Sequence, residues 1–262
     1  MARISFKGRQ CLVTGGSSGI GLDIAKILAK EGCEFVLVGS SQEKLLKAGR
    51  ELESESGRKP VLIAKDLSEE KACFELMAEL RSGKINVDIL VNSAGFGVYG
   101  EFHTVDLKKS LGMINVNVKA LVILTYLCIP SMIEKKSGFI LNIASTAGFQ
   151  GIPREAIYAS SKAFVVTFSE ALTEELKNTG VHVTCLCPGA TRTPFFTRGD
   201  IFPSTTMKRN MMSSEEVARI GVEALRRRKP LEIAGIRNKA LIGSERLIPR
   251  KWATKIAGRL VK

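Results

Sequence analysis

The sequence has few of the residues that build metal sites, disulfide frameworks and membrane spans. It contains two histidines and six cysteines in 262 residues, with no C-x-x-C pair, a composition that argues against a zinc site or a disulfide scaffold. The most apolar run, Leu121 to Ile133, is interrupted by Thr125, Pro130 and Ser131 and is shorter than the roughly 18 residues of a spanning helix. The N-terminal residues lack the pattern of a secretory signal. These absences favour a cytoplasmic protein with reduced thiols and no metal.

Acidic residues are also scarce, with 26 against 39 lysines and arginines, which gives a net charge of +13. The excess is uneven along the chain. Twelve basic residues and two acids lie between Arg226 and Lys262, so this stretch carries ten of the thirteen charges. The rest of the chain is nearly neutral, and the basic character belongs to the C-terminal end.

Seven short apolar runs alternate with helical segments along the chain. They are Gln10–Thr14, Glu34–Val38, Pro60–Ala64, Val87–Asn92, Gly138–Ala144, Val181–Cys187 and Leu231–Ala234. Most lack strict polar alternation, as expected of strands covered on both faces of a parallel sheet. The alternation predicts an α/β fold with a doubly wound, seven-stranded parallel sheet. We expect one domain over residues 1–240 and a basic amphipathic tail over residues 241–262.

A glycine-rich loop follows the first predicted strand and opens a helix. From Thr14 to Gly21 it reads T-G-G-S-S-G-I-G, which places glycines where a tight turn and close approach to a pyrophosphate need them. The helix N-terminus behind the loop offers N–H groups to that anion. A glycine-rich turn without a ligand is the alternative, and the strand–turn–helix context disfavours it. The predicted cofactor contacts in this loop are Gly15, Ser17, Ser18, Gly19, Ile20 and Gly21.

The loop after the second strand bears on the choice between NAD and NADP. An acid there would accept hydrogen bonds from the ribose of NAD, but residues 39–41 contain none. Ser40 and Ser41 can donate to a phosphate and Lys44 is near, although the loop has no arginine. We therefore predict NADP(H) as the preferred cofactor and NAD(H) as the alternative.

Five further motifs follow in order along the chain. They are Asp66-Leu67, Asn92-Ser-Ala-Gly95, Ser145, Tyr158-Ala-Ser-Ser-Lys162 and Pro188-Gly-Ala-Thr-Arg-Thr193. Together with the glycine loop, they resemble the short-chain dehydrogenase/reductase family over roughly residues 5–235, with Ser93 replacing a commoner asparagine. The resemblance implies a Rossmann-like NADP-dependent oxidoreductase that acts on CH–OH groups and forms a homodimer or homotetramer. It also implies cofactor contacts from Asp66, Leu67, Asn92, Ala94, Gly95, Tyr158, Lys162, Pro188, Gly189, Thr191 and Thr193.

Tyr158 and Lys162 are spaced i, i+4 and are expected to share one helix face. A neighbouring ammonium stabilises a phenolate and lowers the pKa of the phenol, so Tyr158 is predicted to exchange a proton with a substrate oxygen. Ser145 can donate a hydrogen bond to the same oxygen. By its resemblance to the family pattern, Asn117 rather than Asn115 is assigned to a water-linked proton relay.

The loops around this predicted site are rich in apolar residues. The predicted substrate contacts are Phe96, Ser145, Ala147, Phe149, Ile152, Tyr158 and Phe195. An apolar ketone or secondary alcohol is the expected substrate, and lipid-like, steroid-like and xenobiotic carbonyls all stay open. A catalytically silent, nucleotide-bound regulator is the alternative function, which the intact Ser145, Tyr158 and Lys162 disfavour.

The C-terminal tail has the pattern of an amphipathic helix after Pro249. Trp252, Ile256 and Leu260 recur at i, i+4 and i+8, and Ala253, Ala257 and Val261 widen the same face. Packing on the domain or on a second subunit is one interpretation. Peripheral contact of residues 246–262 with an anionic membrane, as in a membrane-associated adaptor, is the other. Nucleic-acid binding is not expected, because no recognised reading module accompanies the charge.

Overall fold

The computed structural model describes residues 4–198, 205–245 and 248–260. The strands are β1 (Gln10–Thr14), β2 (Glu34–Gly39), β3 (Val61–Ala64), β4 (Ile89–Asn92), β5 (Gly138–Ile143), β6 (Val181–Cys187), β7 (Thr191–Arg192), β8 (Met212–Ser213) and β9 (Leu231–Ile233). Seven of them form one parallel sheet in the order β3-β2-β1-β4-β5-β6-β9, and β7 pairs with β8. The predicted fold class and all seven predicted strands are confirmed.

Helices cover both faces of this sheet. They are α1 (Gly19–Lys30), α2 (Gln42–Ser56), α3 (Glu70–Ser82), α4 (Leu107–Ile114), α5 (Leu121–Glu134), α6 (Ala156–Glu175), α7 (Phe195–Arg198), α8 (Thr205–Asn210), α9 (Ser214–Arg226), α10 (Ile236–Glu245) and α11 (Arg250–Leu260). The helices α1, α2 and α9 pack on one face of the sheet, and α3, α5 and α6 pack on the other.

The strands are apolar along their length because alternate side chains enter two different cores. On β1, Val13 belongs to the core beneath α1 and Leu12 to the core beneath α3 and α5. On β5, Leu141 belongs to the first of these cores and Ile140 to the second, as the two-residue period of a strand requires. All six cysteines are free and buried, in agreement with the prediction of core thiols.

The helix from Leu107 to Glu134 is long and apolar enough to cross a membrane, by length and composition alone. It joins α4 to α5 through a π-helical segment, Asn115–Ala120. Leu124, Cys128 and Met132 are buried in the core that it forms with the sheet. The core of the α/β fold therefore accounts for part of its apolar composition, since other apolar side chains of this helix, among them Leu111 and Tyr126, are exposed.

The C-terminal part of the described chain contains two helices, α10 and α11. The expected boundary between residues 240 and 241 falls inside α10, where Ile242 is buried. The chain then turns at Pro249, whose carbonyl accepts the Trp252 N–H at 2.8 Å, and continues as α11. Residues 246, 247, 261 and 262 lie outside the described residues, as do the side chains of Arg259 and Leu260.

The helix α11 packs on the domain through its small residues. Ala253 and Ala257 are buried, and Ala257 joins a cluster with Ala147, Ile152 and Ala159. Trp252 and Ile256 lie on the outside, 59% and 45% exposed. The structure thus divides the predicted apolar face, with the alanines packed inward and the larger side chains exposed.

Gly180 occupies a turn before β6 in which a side chain has no room. Its φ is +85°, and a Cβ atom would lie 2.1 Å from the carbonyl oxygen of Lys136. We expect Gly180→Ala to lower the free energy of unfolding by more than about 2 kcal/mol, because left-handed backbone strain and displacement of the neighbouring backbone add together. Urea denaturation measures this change.

Gly57→Ala is the matched control, because Gly57 has a φ of +68° but nothing within 4 Å of its Cβ position. Gly57→Ala should lower the free energy of unfolding by about 1–2 kcal/mol, which is the cost of the backbone conformation alone. Equal losses for the two variants would show that the contact with Lys136 contributes nothing.

Candidate active site

A cleft of about 780 Å³ opens at the carboxyl ends of the central strands. It lies where β1 pairs with β2 on one side and β4 on the other, which is the point at which the strand order reverses. Loops that follow β1 through β6 line its walls. Open α/β sheets bind ligands at this switch point.

The glycine loop forms one end of the cleft and is closed tightly against its neighbours. Gly15 has a φ of +65°, and a Cβ there would lie 2.8 Å from the Ala94 nitrogen. A Cβ at Gly21 would lie 2.7 Å from the Gly15 oxygen, and one at Gly19 would lie 3.0 Å from Cγ2 of Thr193. Any larger residue would displace this turn, so the loop demands glycine at these positions.

A nicotinamide dinucleotide fits this end of the cleft. The 12-residue helix α1 begins at Gly19 without a side-chain cap, so its first N–H groups can bind the pyrophosphate. Most of the predicted cofactor residues line the cleft. They are Gly15, Ser17, Ser18, Gly19, Ile20, Ser40, Ser41, Lys44, Asp66, Leu67, Ala94, Gly95, Tyr158, Lys162, Pro188, Gly189, Thr191 and Thr193.

Two predicted cofactor residues lie behind the lining instead. Gly21 is buried under the glycine loop. Asn92 is buried in the sheet, where its Nδ2 donates to Thr125 Oγ1 at 3.0 Å and to Asn142 Oδ1 at 2.9 Å. These bonds connect β4 to β5 and α5, so Asn92 supports the strand end from below.

Ser145, Tyr158 and Lys162 meet at the other end of the cleft. Ser145 follows β5, and its Oγ accepts the Ala147 N–H at 3.1 Å, which fixes the hydroxyl. Tyr158 and Lys162 share one face of α6, with the Lys162 Nζ 5.9 Å from the centroid of the Tyr158 ring. The Lys162 ammonium is buried and donates to the Ile143 carbonyl at 2.8 Å.

The charges at this end differ from the sequence expectation. Burial raises the pKa of Tyr158, a hydrogen bond with Ser145 lowers it, and the charge of Glu155 raises it further. Burial also lowers the pKa of Lys162 to about 8. In the protein without cofactor, Tyr158 is therefore a neutral phenol that can donate a proton. The lowering of its pKa by Lys162 together with the positive nicotinamide of an oxidised cofactor stays a prediction.

Asn117 lies in the π-helical segment, directly beneath the loop that follows β4. Its Oδ1 accepts the Phe96 N–H at 3.1 Å, and its Nδ2 donates to the Phe96 carbonyl at 3.0 Å and to Ser161 Oγ at 3.2 Å. A Cβ at Gly95 would lie 3.0 Å from Asn117 Oδ1 and 3.6 Å from Lys162 Nζ. The π-helical turn thus brings Asn117 to Gly95, which Lys162 also approaches, and such turns are frequent at functional sites.

The wall beyond Tyr158 is largely apolar. Phe96, Ala147, Ile152 and Phe195 line it as predicted, with the Phe195 ring centroid 5.4 Å from that of Tyr158. Phe149 was predicted here too, but it packs in the core cluster of α5 and α6 and is not among the described lining residues.

Sequence reasoning missed several residues of the cleft. Lys65, Gln150, Glu155 and Phe196 line it but were not among the predicted contacts. The spacing of Glu155, three residues before Tyr158, could have identified it as a neighbour on the same helix face. Lys65 carried no comparable signal, because its place depends on the turn after β3.

The fold and the cleft define a class, the dinucleotide-binding oxidoreductases built on a doubly wound parallel sheet. A family model described as short chain dehydrogenase matches residues 9–200. The ketoacyl reductase HetN from Nostoc sp. is 35% identical over 185 residues, which cover 71% of this chain and 64% of that protein. The match thus spans less than two thirds of the relative's length.

Solved structures agree with this match. A short-chain dehydrogenase from Sphingobium yanoikuyae, in complex with NADPH, is 29% identical with a TM-score of 0.81, over 91% of this chain and 93% of that chain. The bulky-bulky ketone specific alcohol dehydrogenase from Comamonas testosteroni is 26% identical with a TM-score of 0.77, over 91% and 92%. The chain belongs to the short-chain dehydrogenase/reductase family and is an oxidoreductase that uses a nicotinamide cofactor.

Proposed function

We propose that this protein is an NADP-dependent carbonyl reductase or alcohol dehydrogenase for a small, largely apolar ketone or secondary alcohol. One observation carries the proposal. Ser145, Tyr158 and Lys162 meet in the same cleft as a glycine loop and helix N-terminus suited to a pyrophosphate. A silent nucleotide-bound regulator would have no use for this set of side chains.

When bound, the cofactor supplies or accepts the hydride. Ser145 holds the substrate oxygen by a hydrogen bond and polarises the carbonyl. Tyr158, a neutral phenol in the protein alone, gives its proton to that oxygen during reduction. We assign Lys162 to cofactor binding. We assign Asn117 to the relay that returns the proton to Tyr158.

The lining supports the substrate class. Phe96, Ile152, Phe195 and Phe196 line the same cleft as Tyr158, and the Phe195 ring centroid lies 5.4 Å from that of Tyr158. Pockets of this composition bind apolar ligands. A carbonyl substrate is also compatible with two similar proteins, the ketoacyl reductase from Nostoc sp. and the bulky-bulky ketone specific alcohol dehydrogenase from Comamonas testosteroni.

Replacement of the Tyr158 hydroxyl tests the proposed chemistry. Tyr158→Phe should lower kcat by about a hundredfold or more, because the substrate oxygen loses its proton donor, while NADPH affinity stays nearly unchanged. Absorbance at 340 nm measures turnover against a panel of ketones, and cofactor fluorescence measures binding.

Lys162→Ala is the companion variant and should weaken both turnover and cofactor binding. Glu175→Gln, at an exposed position on α6, is the control for substitution itself and should match the wild type. Turnover of Tyr158→Phe within a few-fold of the wild type would disprove the role of Tyr158.

Preference for NADP is proposed from the charges at the ribose end of the cleft. Lys44 and Lys65 line this end, and residues 39–41 contain no acid. The Ser41 side chain accepts the Lys44 N–H at the start of α2. Lys65 Nζ already pairs with Glu75 at 3.4 Å and with Glu79 at 3.7 Å. The preference for a 2′-phosphate is therefore proposed from the Lys44 ammonium group, which attracts the anion.

A carboxylate introduced at Ser40 should reverse this preference. Ser40→Asp should change the ratio of NADPH to NADH affinity by about tenfold or more, equivalent to about 1.4 kcal/mol, because the carboxylate repels the phosphate and accepts from the ribose. Ser40→Asn is the uncharged control and should retain the wild-type order. Tighter binding of NADH by the wild-type protein would contradict the proposal.

We also propose that the protein works in the cytoplasm as a homodimer or homotetramer. Its six free, buried thiols suit a reducing compartment. Exposed apolar side chains on α4, α5 and α6 offer a surface for a second copy of the chain. They are Leu107, Leu111, Tyr126 and Phe164.

Peripheral membrane contact through α11 is proposed from its outer face. The cations nearer the domain have acidic partners, since Arg226 pairs with Glu31 and Lys229 pairs with Glu232. The sequence of α11 contains no acid. Exposed Trp252 and Ile256 among lysines and arginines are typical of interfacial membrane helices.

Neutralising this face should release the protein from anionic vesicles. Replacing Arg250, Lys251 and Lys255 by Gln should weaken binding at least about tenfold, since each cation near such a surface contributes roughly 1 kcal/mol. Trp252→Ser with Ile256→Ser should also weaken it, and high salt should reduce wild-type binding. Phe74→Ser on α3, where Phe74 is also exposed, is the control. Equal sedimentation of all variants would contradict membrane contact.

A further inference from the structure

Glu155 is an acidic side chain in the apolar wall of the substrate end of the cleft. It precedes α6 directly and lies three residues before Tyr158, a spacing that places both on one helix face. It is half-buried, and its side chain does not cap the helix. Within residues 4–198, 205–245 and 248–260, no cation or hydrogen-bond donor pairs with its carboxyl group.

The surroundings of Glu155 shield its carboxyl group from water and supply no hydrogen bond in place of the water. Burial is the sole cause that raises the pKa of its carboxyl group. The Ile152 carbonyl accepts the Glu155 N–H at 3.1 Å, so the apolar side chain of Ile152 is an immediate neighbour in the chain turn. A buried carboxyl group without a partner costs free energy, and such groups in clefts are candidates for ligand contact.

Glu155 is also in electrostatic contact with the reaction centre. Its negative charge raises the pKa of the Tyr158 phenol. Glu155, Tyr158 and Ser145 line the same cleft, so a substrate held by Tyr158 and Ser145 would share that cleft with a carboxyl group that lacks a donor among the described residues. A wholly apolar substrate would bury that carboxyl group further and leave it unpaired, whereas a substrate with a donor would satisfy it.

We infer that Glu155 selects, among carbonyl substrates, those that carry a hydrogen-bond donor about one helical turn, roughly 5 Å, from the carbonyl group. The donor is a hydroxyl or an ammonium group on an otherwise apolar skeleton. This inference rests on the proposed reductase function and narrows its substrate class.

Three matched ketones test the inference. They share one carbon skeleton and carry a methyl, a hydroxyl or an ammonium group at the stated distance from the carbonyl. With NADPH, wild-type kcat/KM should be about tenfold or more higher for the compounds with a donor. Glu155→Leu should bring the ratio between donor and methyl compounds close to one.

Glu155→Gln separates the two donors. An amide oxygen still accepts from a hydroxyl group but no longer attracts an ammonium charge, so this variant should retain preference for the hydroxyketone and lose it for the aminoketone. Glu175→Gln, an exposed position on the same helix, is the control and should leave all three values unchanged.

Two results would overturn the inference. One is an unchanged donor preference in Glu155→Leu. The other is an equal loss on all three ketones, which would show that Glu155 serves the start of α6 and not the substrate.

Failure of the proposed function gives a different result, because the wild-type protein would then reduce none of the three ketones. Calorimetric binding of the same compounds to cofactor-loaded wild type and Glu155→Leu decides the inference in that case. Weaker binding of the donor compounds alone to Glu155→Leu supports it, and equal binding refutes it.

Discussion

The cleft depends on one hydroxyl group that holds two strand ends together. Thr14 ends β1, and its Oγ1 accepts the N–H groups of Ser93 and Ala94, both at 3.1 Å, while it donates to the Val91 carbonyl at 3.3 Å. Both the glycine loop and the loop after β4 start from this point. Because these two loops approach each other so closely here, Gly15 has no room for a side chain. The glycine loop therefore forms a tight turn that suits a bound anion.

A network of buried polar side chains beneath Tyr158 and Lys162 also stabilises the cleft. Asn142 Nδ2 donates to Ser169 Oγ at 3.0 Å and its Oδ1 accepts from Asn92, so one network joins β4, β5 and α6. Each of these groups would be costly if it were left unpaired. The network therefore holds α6, with Tyr158 and Lys162 on it, in a single register against the sheet.

The charges of the cleft are divided between its two ends. Lys44 and Lys65 line the ribose end, where an anionic cofactor group would lie, and Glu155 stands in the apolar wall near Tyr158. Lys162 lies between them, buried and bonded to the Ile143 carbonyl. Burial acts on both titratable groups of α6 in this region, since it raises the pKa of Tyr158 and lowers that of Lys162. Tyr158 is thus a neutral phenol before any ligand binds, whereas Lys162, with a pKa of about 8, is still mostly protonated at pH 7.

The order of elements, the glycine loop and the i, i+4 pair of Tyr158 and Lys162 follow from the sequence alone, because each depends on local spacing and on residue type. Only the tertiary structure determined which side chains are buried and which groups they contact. It placed Asn92 beneath the cleft, Phe149 in a core cluster and Glu155 in the substrate wall. It also turned the alanines of α11 inward and Trp252 outward. These outcomes depend on neighbours that are distant in the chain, and burial by such neighbours leaves no pattern in the sequence.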